Sequence, residues 1–295
     1  MMILGIDIGG THIKVGFVEN ETVTTKDKLP TAQNLEEFCQ QIKKIINDYL
    51  KINSFTKIAF SVPGSVDESG TVFYGGAVSY LNGINLKALI ADIEGLENLE
   101  VVVENDAKAA TLGEMAFGNL KGIKNGAAII LGTGVGTGIC IDEQLYKGSH
   151  NQAGEVSFWI RERAIYGADS FVGMGLSAVK LISSLANQLQ VENDGPLVFS
   201  ALKSSTDKEA AQLFSSYCEG VAILCFNLQL ILDLEKIVIG GGISQQPLLI
   251  EKIEEAYQKL FTTAPIIKET LQPIVIEAAK FKADANLIGA ARKGN

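Results

Sequence analysis

Three glycine clusters follow apolar runs in this chain: Gly9-Gly10 with Thr11, Gly132-Thr133-Gly134 with Gly136 and Gly138, and Gly240-Gly241-Gly242. Glycine lets a backbone approach a ligand closely and adopt positive φ, and successive N–H groups in such turns form anion-binding nests. Each cluster alone reads equally as a hairpin turn; three in one chain point to phosphates and so to a nucleotide. Charged side chains stand beside the first. Asp7 ends the first apolar run two residues before Gly9, where a carboxylate either holds Mg²⁺ through water against phosphates or caps the turn. Lys14, on the same hairpin, is either a point cation for phosphate or an ordinary surface lysine.

Asn105-Asp106 follows Val101-Val102-Val103-Glu104 and precedes an alanine-rich stretch. Doubly wound sheets present catalytic groups at such strand ends, and an aspartate there serves equally as a helix N-cap. Glu155, in a polar break before Phe158-Trp159, is open to the same two readings. No G-x-x-x-x-G-K-[ST] loop occurs, and the 132–138 cluster leads into Ile139-Cys140-Ile141-Asp142, a strand rather than the helix of a dinucleotide fingerprint. Phosphates would then be held by paired β-hairpins, with a metal ion and one or two side chains completing the electrostatics.

The elements that must position these residues follow from periodicity. Residues 3–7 form a short apolar strand, Gly9-Gly10-Thr11 a turn, and Ile13, Val15 and Phe17 alternate as a second strand before a break at Glu19-Asn20. Leu35, Phe38, Ile42, Ile45, Ile46 and Tyr49 recur at helical spacing across 34–51. Strands are expected at 57–61 and 99–104, and a helix from Asp106 through Phe117. A second round begins at Gly126: strand 127–131, a turn spanning 132–138, a partner strand at 139–142 and an edge at 144–146. The two rounds share one design, an internal repeat at about half the chain length. Residues 161–235 read mostly helical, with a buried apolar helix over 219–234, then a strand at 236–239 and a helix at 247–260.

Of the 295 residues, 47% are hydrophobic and 20% charged, with 30 Gly and only 6 Pro, which excludes disorder as the main state. A net charge of −9 offers no basic field for nucleic acid or an anionic membrane surface. Cys39, Cys140, Cys218 and Cys225 make no CxxC pair, consistent with reduced thiols. The N-terminus lacks a basic n-region and a long apolar core. The apolar stretch 221–232 is interrupted by Asn227 and Gln229 and falls short of the roughly 20 residues that span a bilayer. A cytoplasmic protein is expected.

The segments DIGGTHIKVGFV, VPGSVDESG, VENDAKAATLGE, ILGTGVGTGICIDEQLYKGSHNQAGE, IVIGGGIS and DANLIGAA resemble, in order and over nearly the whole chain, the ROK family of sugar kinases and repressors. The resemblance implies an α/β, two-lobed actin/hexokinase-like (ribonuclease H-like) ATPase fold with duplicated domains. The first lobe would be 1–117, completed by a C-terminal helix at 280–295, and the second 118–279. It implies ATP-dependent phosphorylation of a hexose 6-hydroxyl with Mg²⁺, and a homodimer. On this likeness Asp106 is the general base, and Gly64, Ser65, Asn105 and Glu155 bind the sugar hydroxyls. Asp7, Gly9, Gly10, Thr11, Lys14, Gly132, Thr133, Gly134 and Gly136 serve the phosphates and their metal, and Gly240, Gly241 and Gly242 lie close to adenosine.

The family's zinc-containing members have a histidine three residues after the glutamate matching Glu155, then a cysteine cluster. Here Phe158 stands at that position and no cysteine lies between Cys140 and Cys218, so zinc is expected to be absent. The altered C1/C2 end of the pocket should then favour a substituted sugar, such as a β-glucoside or an N-acylated hexosamine, over plain glucose. The family's repressors carry an N-terminal helix-turn-helix, for which the hairpin starting near residue 5 leaves no room. A non-catalytic sugar sensor is the alternative to a kinase.

Overall fold

In the computed structural model, residues 2–93, 95, 96, 99–162, 164 and 166–294 are described. The chain begins with β1 (Ile3–Ile8), β2 (His12–Glu19), β3 (Thr22–Pro30), α1 (Leu35–Ile52), β4 (Lys57–Val62), β5 (Ser65–Val66), β6 (Val72–Phe73), α2 (Leu86–Ala91), β7 (Glu100–Asn105) and α3 (Asp106–Phe117). It continues through β8 (Gly126–Leu131), β9 (Val135–Ile141), β10 (Gln144–Tyr146), α4 (Val172–Gly175), α5 (Ala178–Leu189), α6 (Gly195–Ser204) and α7 (Lys208–Leu232). Last come β11 (Lys236–Gly240), α8 (Pro247–Thr262), α9 (Pro265–Thr270), β12 (Val275–Ala278) and α10 (Ala285–Arg292).

Two compact units result: Met1–Lys121, Leu145–Ala153 and Asp284–Asn295 form unit 1, and Gly122–Gln144 with Gly154–Ala283 form unit 2. The sequence places 118–121 and 145–153 in the second lobe and 280–283 in the first, whereas 118–121 and 145–153 fall in unit 1 and 280–283 in unit 2; an ion pair and a hydrogen bond described below tie 145–153 to unit 1. Residues 1 and 295, at the ends of the expected first lobe, lie outside the described residues.

The sheets repeat one topology, β3-β2-β1-β4-β7 and β10-β9-β8-β11-β12. Each opens with an antiparallel hairpin, β1/β2 or β8/β9, and continues through parallel strands, β1/β4/β7 or β8/β11/β12. Parallel neighbours require a crossover, which α1 and α2 supply in the first sheet, and the longer helical stretch α5–α7 and then α8 with α9 in the second. The parallel strands are correspondingly covered on both faces: all six residues of β4, Lys57 and Ser61 included, are buried.

Helix starts follow capping chemistry. Asn34 accepts the Glu37 N–H ahead of α1, Asp194 the Leu197 N–H ahead of α6, and Asp207 the Ala210 N–H ahead of α7. The amphipathic face of α1 buries Phe38, Ile42, Ile45, Ile46 and Tyr49 against β-sheet residues such as Leu4, Ile6 and Val15. A separate core in unit 2 joins Ile129 and Leu131 of β8 to Val221, Leu224 and Cys225 of α7 and Tyr257 of α8.

Two expectations need correction. Gly136 and Gly138 lie within β9, opposite Ile130 and Ala128, because the hairpin tip closes in three residues and the ladder resumes at Leu131↔Val135. The helix expected at 219–234 begins at Lys208, and it is not buried all round: Ile223, Leu230 and Ile231 are 48%, 50% and 67% exposed. By length and composition α7 would suffice to cross a membrane, but its other face carries the buried Phe214, Tyr217, Cys218 and Val221 of the unit 2 core.

Candidate active site

In unit 1 the strand β7 turns directly into α3, and the residue that caps the helix is Asn105, not Asp106. Asn105 Oδ1 accepts the Lys108 N–H at 3.1 Å. Its Nδ2 donates to Gly64 O at 3.0 Å and to Asp106 Oδ1 at 2.9 Å. Asp106 occupies the first helical position, with the Ala107 N–H donating to Oδ1 at 2.7 Å, where the positive end of the helix dipole favours the ionised carboxylate. Gly64 is required by its backbone: φ is +86°, and a Cβ would lie 2.4 Å from Phe73 O. Ser65 follows in β5, buried and paired with Phe73. One amide thus ties Gly64, Asn105 and Asp106 into a single corner.

The β1/β2 hairpin carries the second group. Asp7 is opposite Lys14 on one side and Ser61 on the other, so both reach its carboxylate. Oδ1 accepts from Ser61 Oγ at 2.8 Å and from Asn286 Nδ2 at 2.9 Å, while Lys14 Nζ sits 3.2 Å from Oδ2. The hairpin tip is closed by the Gly9 N–H on His12 O at 3.0 Å and pinned by Thr31 Oγ1 on Gly9 O at 2.6 Å. Gly10 abuts Ala77, whose Cβ would stand 2.4 Å from a side chain there, and Gly10 and Thr11 are exposed. Sequence reasoning missed Ser61 and Asn286, which come from β4 and α10.

Unit 2 holds the remaining candidates. The Gly132 N–H donates to Gly134 O at 3.0 Å, Gly132 O accepts the Ala178 N–H at 2.9 Å, and Thr133 is exposed at the tip. Ser157 braces the other flank, with the Val135 N–H donating to its Oγ and that Oγ donating to Val135 O. Gly241, at φ +94°, passes so close to Leu131 that a Cβ would lie 2.0 Å from its carbonyl oxygen. Gly132 and Gly242 instead face open space, and both line a cavity of about 490 Å³ with Leu131, Ile182, Phe199 and Gln245. Ile182 and Phe199 gave no sequence signal beyond ordinary core periodicity. Glu155, half-buried, follows Gly154, whose φ of +86° brings a would-be Cβ within 2.3 Å of Thr137 O. It belongs to unit 2 and Asp106 to unit 1.

The donor chemistry fits a nucleotide and a phosphate-bridged metal. An apolar cavity edged by bare glycine backbone suits a purine and its ribose. Both Asp7 oxygens are engaged by protein donors, and among the described residues no cluster of three or more His, Cys, Asp or Glu could hold an ion by itself. Asp7 could therefore serve a divalent metal ion through water rather than as a direct ligand.

A ROK family model matches residues 3–163 and 180–292. The chain is 27% identical over 298 residues to a beta-glucoside kinase of Listeria monocytogenes, covering 98% of this chain and 96% of that one. It is 30% identical over 307 residues to an N-acetylmannosamine kinase of Vibrio cholerae, covering 99% and 98%. Its fold is similar, at TM-score 0.81 and 25% identity, to the crystal structure of a ROK family glucokinase from Streptomyces griseus in complex with glucose and AMPPNP, with 99% and 98% of the two chains covered.

Proposed function

The chain belongs to the ROK family and has its actin/hexokinase-like α/β fold, and from that premise, with full-length likeness to kinases of three sugars, it is a sugar kinase that uses ATP and a metal ion; we propose that it transfers the γ-phosphoryl group to the 6-hydroxyl of a hexose or hexose derivative. The observation that carries this reading is the division of labour at the β7/α3 corner. Asn105 takes the cap by accepting the Lys108 N–H, while its amide and the Ala107 N–H both donate to Asp106 Oδ1 and fix the orientation of that carboxylate. Asp106 accepts the proton as the sugar oxygen forms its bond to the γ-phosphorus and the bond from that phosphorus to the ADP oxygen breaks.

Gly64, Ser65, Asn105 and Glu155 are the residues we assign to the sugar hydroxyls. The 9–11 tip, Lys14 and the 132–134 tip serve the phosphates, with Gly136 behind the latter in β9, and the glycines 240–242 serve the adenosine cavity. Magnesium, when bound, would neutralise charge developing on the phosphates, and Asp7 would be the residue that holds it, through water. We propose that the protein holds no zinc, because Phe158 stands where the zinc-containing members have a histidine and no cysteine lies between Cys140 and Cys218.

Phe158 is 66% exposed and meets Phe171 edge-on, with ring centroids 6.0 Å apart. An apolar aromatic face in place of a hydrogen-bonding histidine supports a β-glucoside or an N-acylated hexosamine as acceptor. We propose a homodimer in the cytoplasm, without a nucleic-acid or membrane partner; the exposed apolar residues of α7 and the net charge of −9 support this.

The test is a coupled ADP-release assay with Mg-ATP across glucose, N-acetylmannosamine and cellobiose. The highest kcat/KM is expected on a substituted sugar, and a clear preference for glucose would refute that part. A protein that binds a sugar in calorimetry but never releases ADP would be a sensor instead.

A further inference from the structure

Asn105 and Asp106 are flanked in the chain by two buried charges that the transfer itself does not use. Glu104 is 1% exposed; its Oε1 accepts the Asn105 N–H at 3.0 Å, and its Oε2 lies 3.2 Å from both Lys147 Nζ and Lys293 Nζ. Lys108, two residues past Asp106, is 2% exposed, and its ammonium donates to Asn151 O at 3.0 Å. Lys147 and Asn151 lie in one short stretch, Leu145–Ala153, which unit 1 receives between two passages of the chain through unit 2.

That stretch is a closed loop. The Ala153 N–H donates to Lys147 O at 3.0 Å, and Gly148, at φ +72°, packs against Ala153. Asn151 sits at φ +57°, in the left-handed region that asparagine enters more readily than other residues with a side chain. The Lys108 ammonium holds the Asn151 carbonyl in that turn. An apolar side chain at 108 would fill the same volume with no desolvation penalty; what the ammonium adds is a directional hold. At the other end, burial draws the Lys147 pKa down, but the Glu104 and Glu68 carboxylates outweigh it and keep the pKa above the ordinary lysine range. Lys293, more deeply buried, is drawn down by that burial despite Glu104. Lys147 and Lys293 thus both face Glu104, and Lys147 has the Glu68 carboxylate beside it as well.

We propose that Lys108 and Lys147 are positioning residues for phosphoryl transfer: Lys147 through Glu104, and Lys108 through Asn151, brace the β7/α3 corner that carries Asn105 and Asp106 against the Leu145–Ala153 loop of the same unit, and so hold the base and its neighbouring amide in place. The inference rests on the sugar-kinase reading, and its test separates the two.

Lys108→Met, Lys147→Met and Lys147→Arg are compared with wild type by steady-state kinetics, by calorimetry with glucose, N-acetylmannosamine and cellobiose, and by thermal denaturation. Misplacing a group that orients a substrate costs up to about 10²-fold. Both methionine variants should lose about that factor in kcat/KM for the sugar and bind it more weakly, with KM for Mg-ATP unmoved. Lys147→Arg, which keeps the charge on Glu104, should recover most of the loss. Lys147→Met, at the less buried peg, keeps the comparison readable should Lys108→Met not fold. Sugar and nucleotide parameters falling together, or arginine rescuing nothing, would overturn the proposal in favour of a merely structural role. Wild type that binds a sugar without releasing ADP refutes the kinase alone, and weaker sugar binding by the variants then still decides for the pegs. Wild type that binds none of the three sugars overturns both.

Discussion

Asn286 of α10 donates through Nδ2 to Asp7 Oδ1 at 2.9 Å across 279 positions of chain. The last helix therefore fixes the orientation of a carboxylate on the first strand, and Ser61 shares the same oxygen from the neighbouring strand. Removing Asn286 leaves Asp7 with one fewer donor in a buried setting. Asn286→Ala is expected to cost about 1.5–3 kcal/mol, as hydrogen bonds to charged groups do, in urea denaturation. KM for Mg-ATP should rise while KM for the sugar holds. A variant with unaltered nucleotide kinetics would detach Asp7 from metal binding.

Asp106→Asn keeps the size of the side chain and the carbonyl that receives the Asn105 amide and the Ala107 N–H, but removes the proton acceptor. Sugar-dependent ADP release should drop by about three decades, within the 10²–10⁴ of a positioned base, with calorimetric sugar affinity largely retained. Turnover within tenfold of wild type would assign the proton to another group.

Two glycines separate folding from binding. Gly289 lies against α3, where a Cβ would stand 1.5 Å from Ala109 O, whereas Gly242 has nothing within 4 Å and lines the unit 2 cavity. Gly289→Ala must push α10 off α3 and should cost about 3 kcal/mol, read as a lowered Tm. Gly242→Ala should fold normally and raise KM for ATP. Equal Tm values for the two variants would contradict the close helix approach.

Cys218 and Cys225, 1% and 0% exposed, have thiols that burial raises to about 12 from an ordinary 9.0. Because the folded pKa is the higher one, the folded state binds more protons between these values. Stability is therefore complete below pH 9 and declines as pH climbs toward 12. The slope is about 1.4 kcal/mol per pH unit for each thiol. Urea midpoints at pH 8 and pH 10.5 should fall accordingly, and replacing both cysteines by alanine should flatten the difference. An undiminished slope in that variant would point to other alkaline groups.

Much of the molecule was legible because its determinants are local. The amphipathic spacing behind α1, the start of α3 at Asp106 and the hairpin that places Lys14 opposite Asp7 each depend on residues a few positions apart. The repeated hairpin near residue 126 announced the second sheet for the same reason. Where the reading slipped, composition misled it: glycines 136 and 138 belong to a strand, since the ladder to β8 outweighs their weak strand preference.

By itself, then, the sequence determined the order of the longer elements, the duplicated hairpins and the short stretches from which the candidate site is drawn, but not β5, β6, α2, α9 or the edge strand β12. The tertiary structure alone decided that Asn105 rather than Asp106 caps α3, that Asn286 and Ser61 hold Asp7, and that Lys108 and Lys147 fasten Leu145–Ala153 into unit 1. The physical reason is that periodicity reports which face of an element is buried, whereas the partner met on that face depends on parallel crossovers and helix docking between residues tens to hundreds of positions apart.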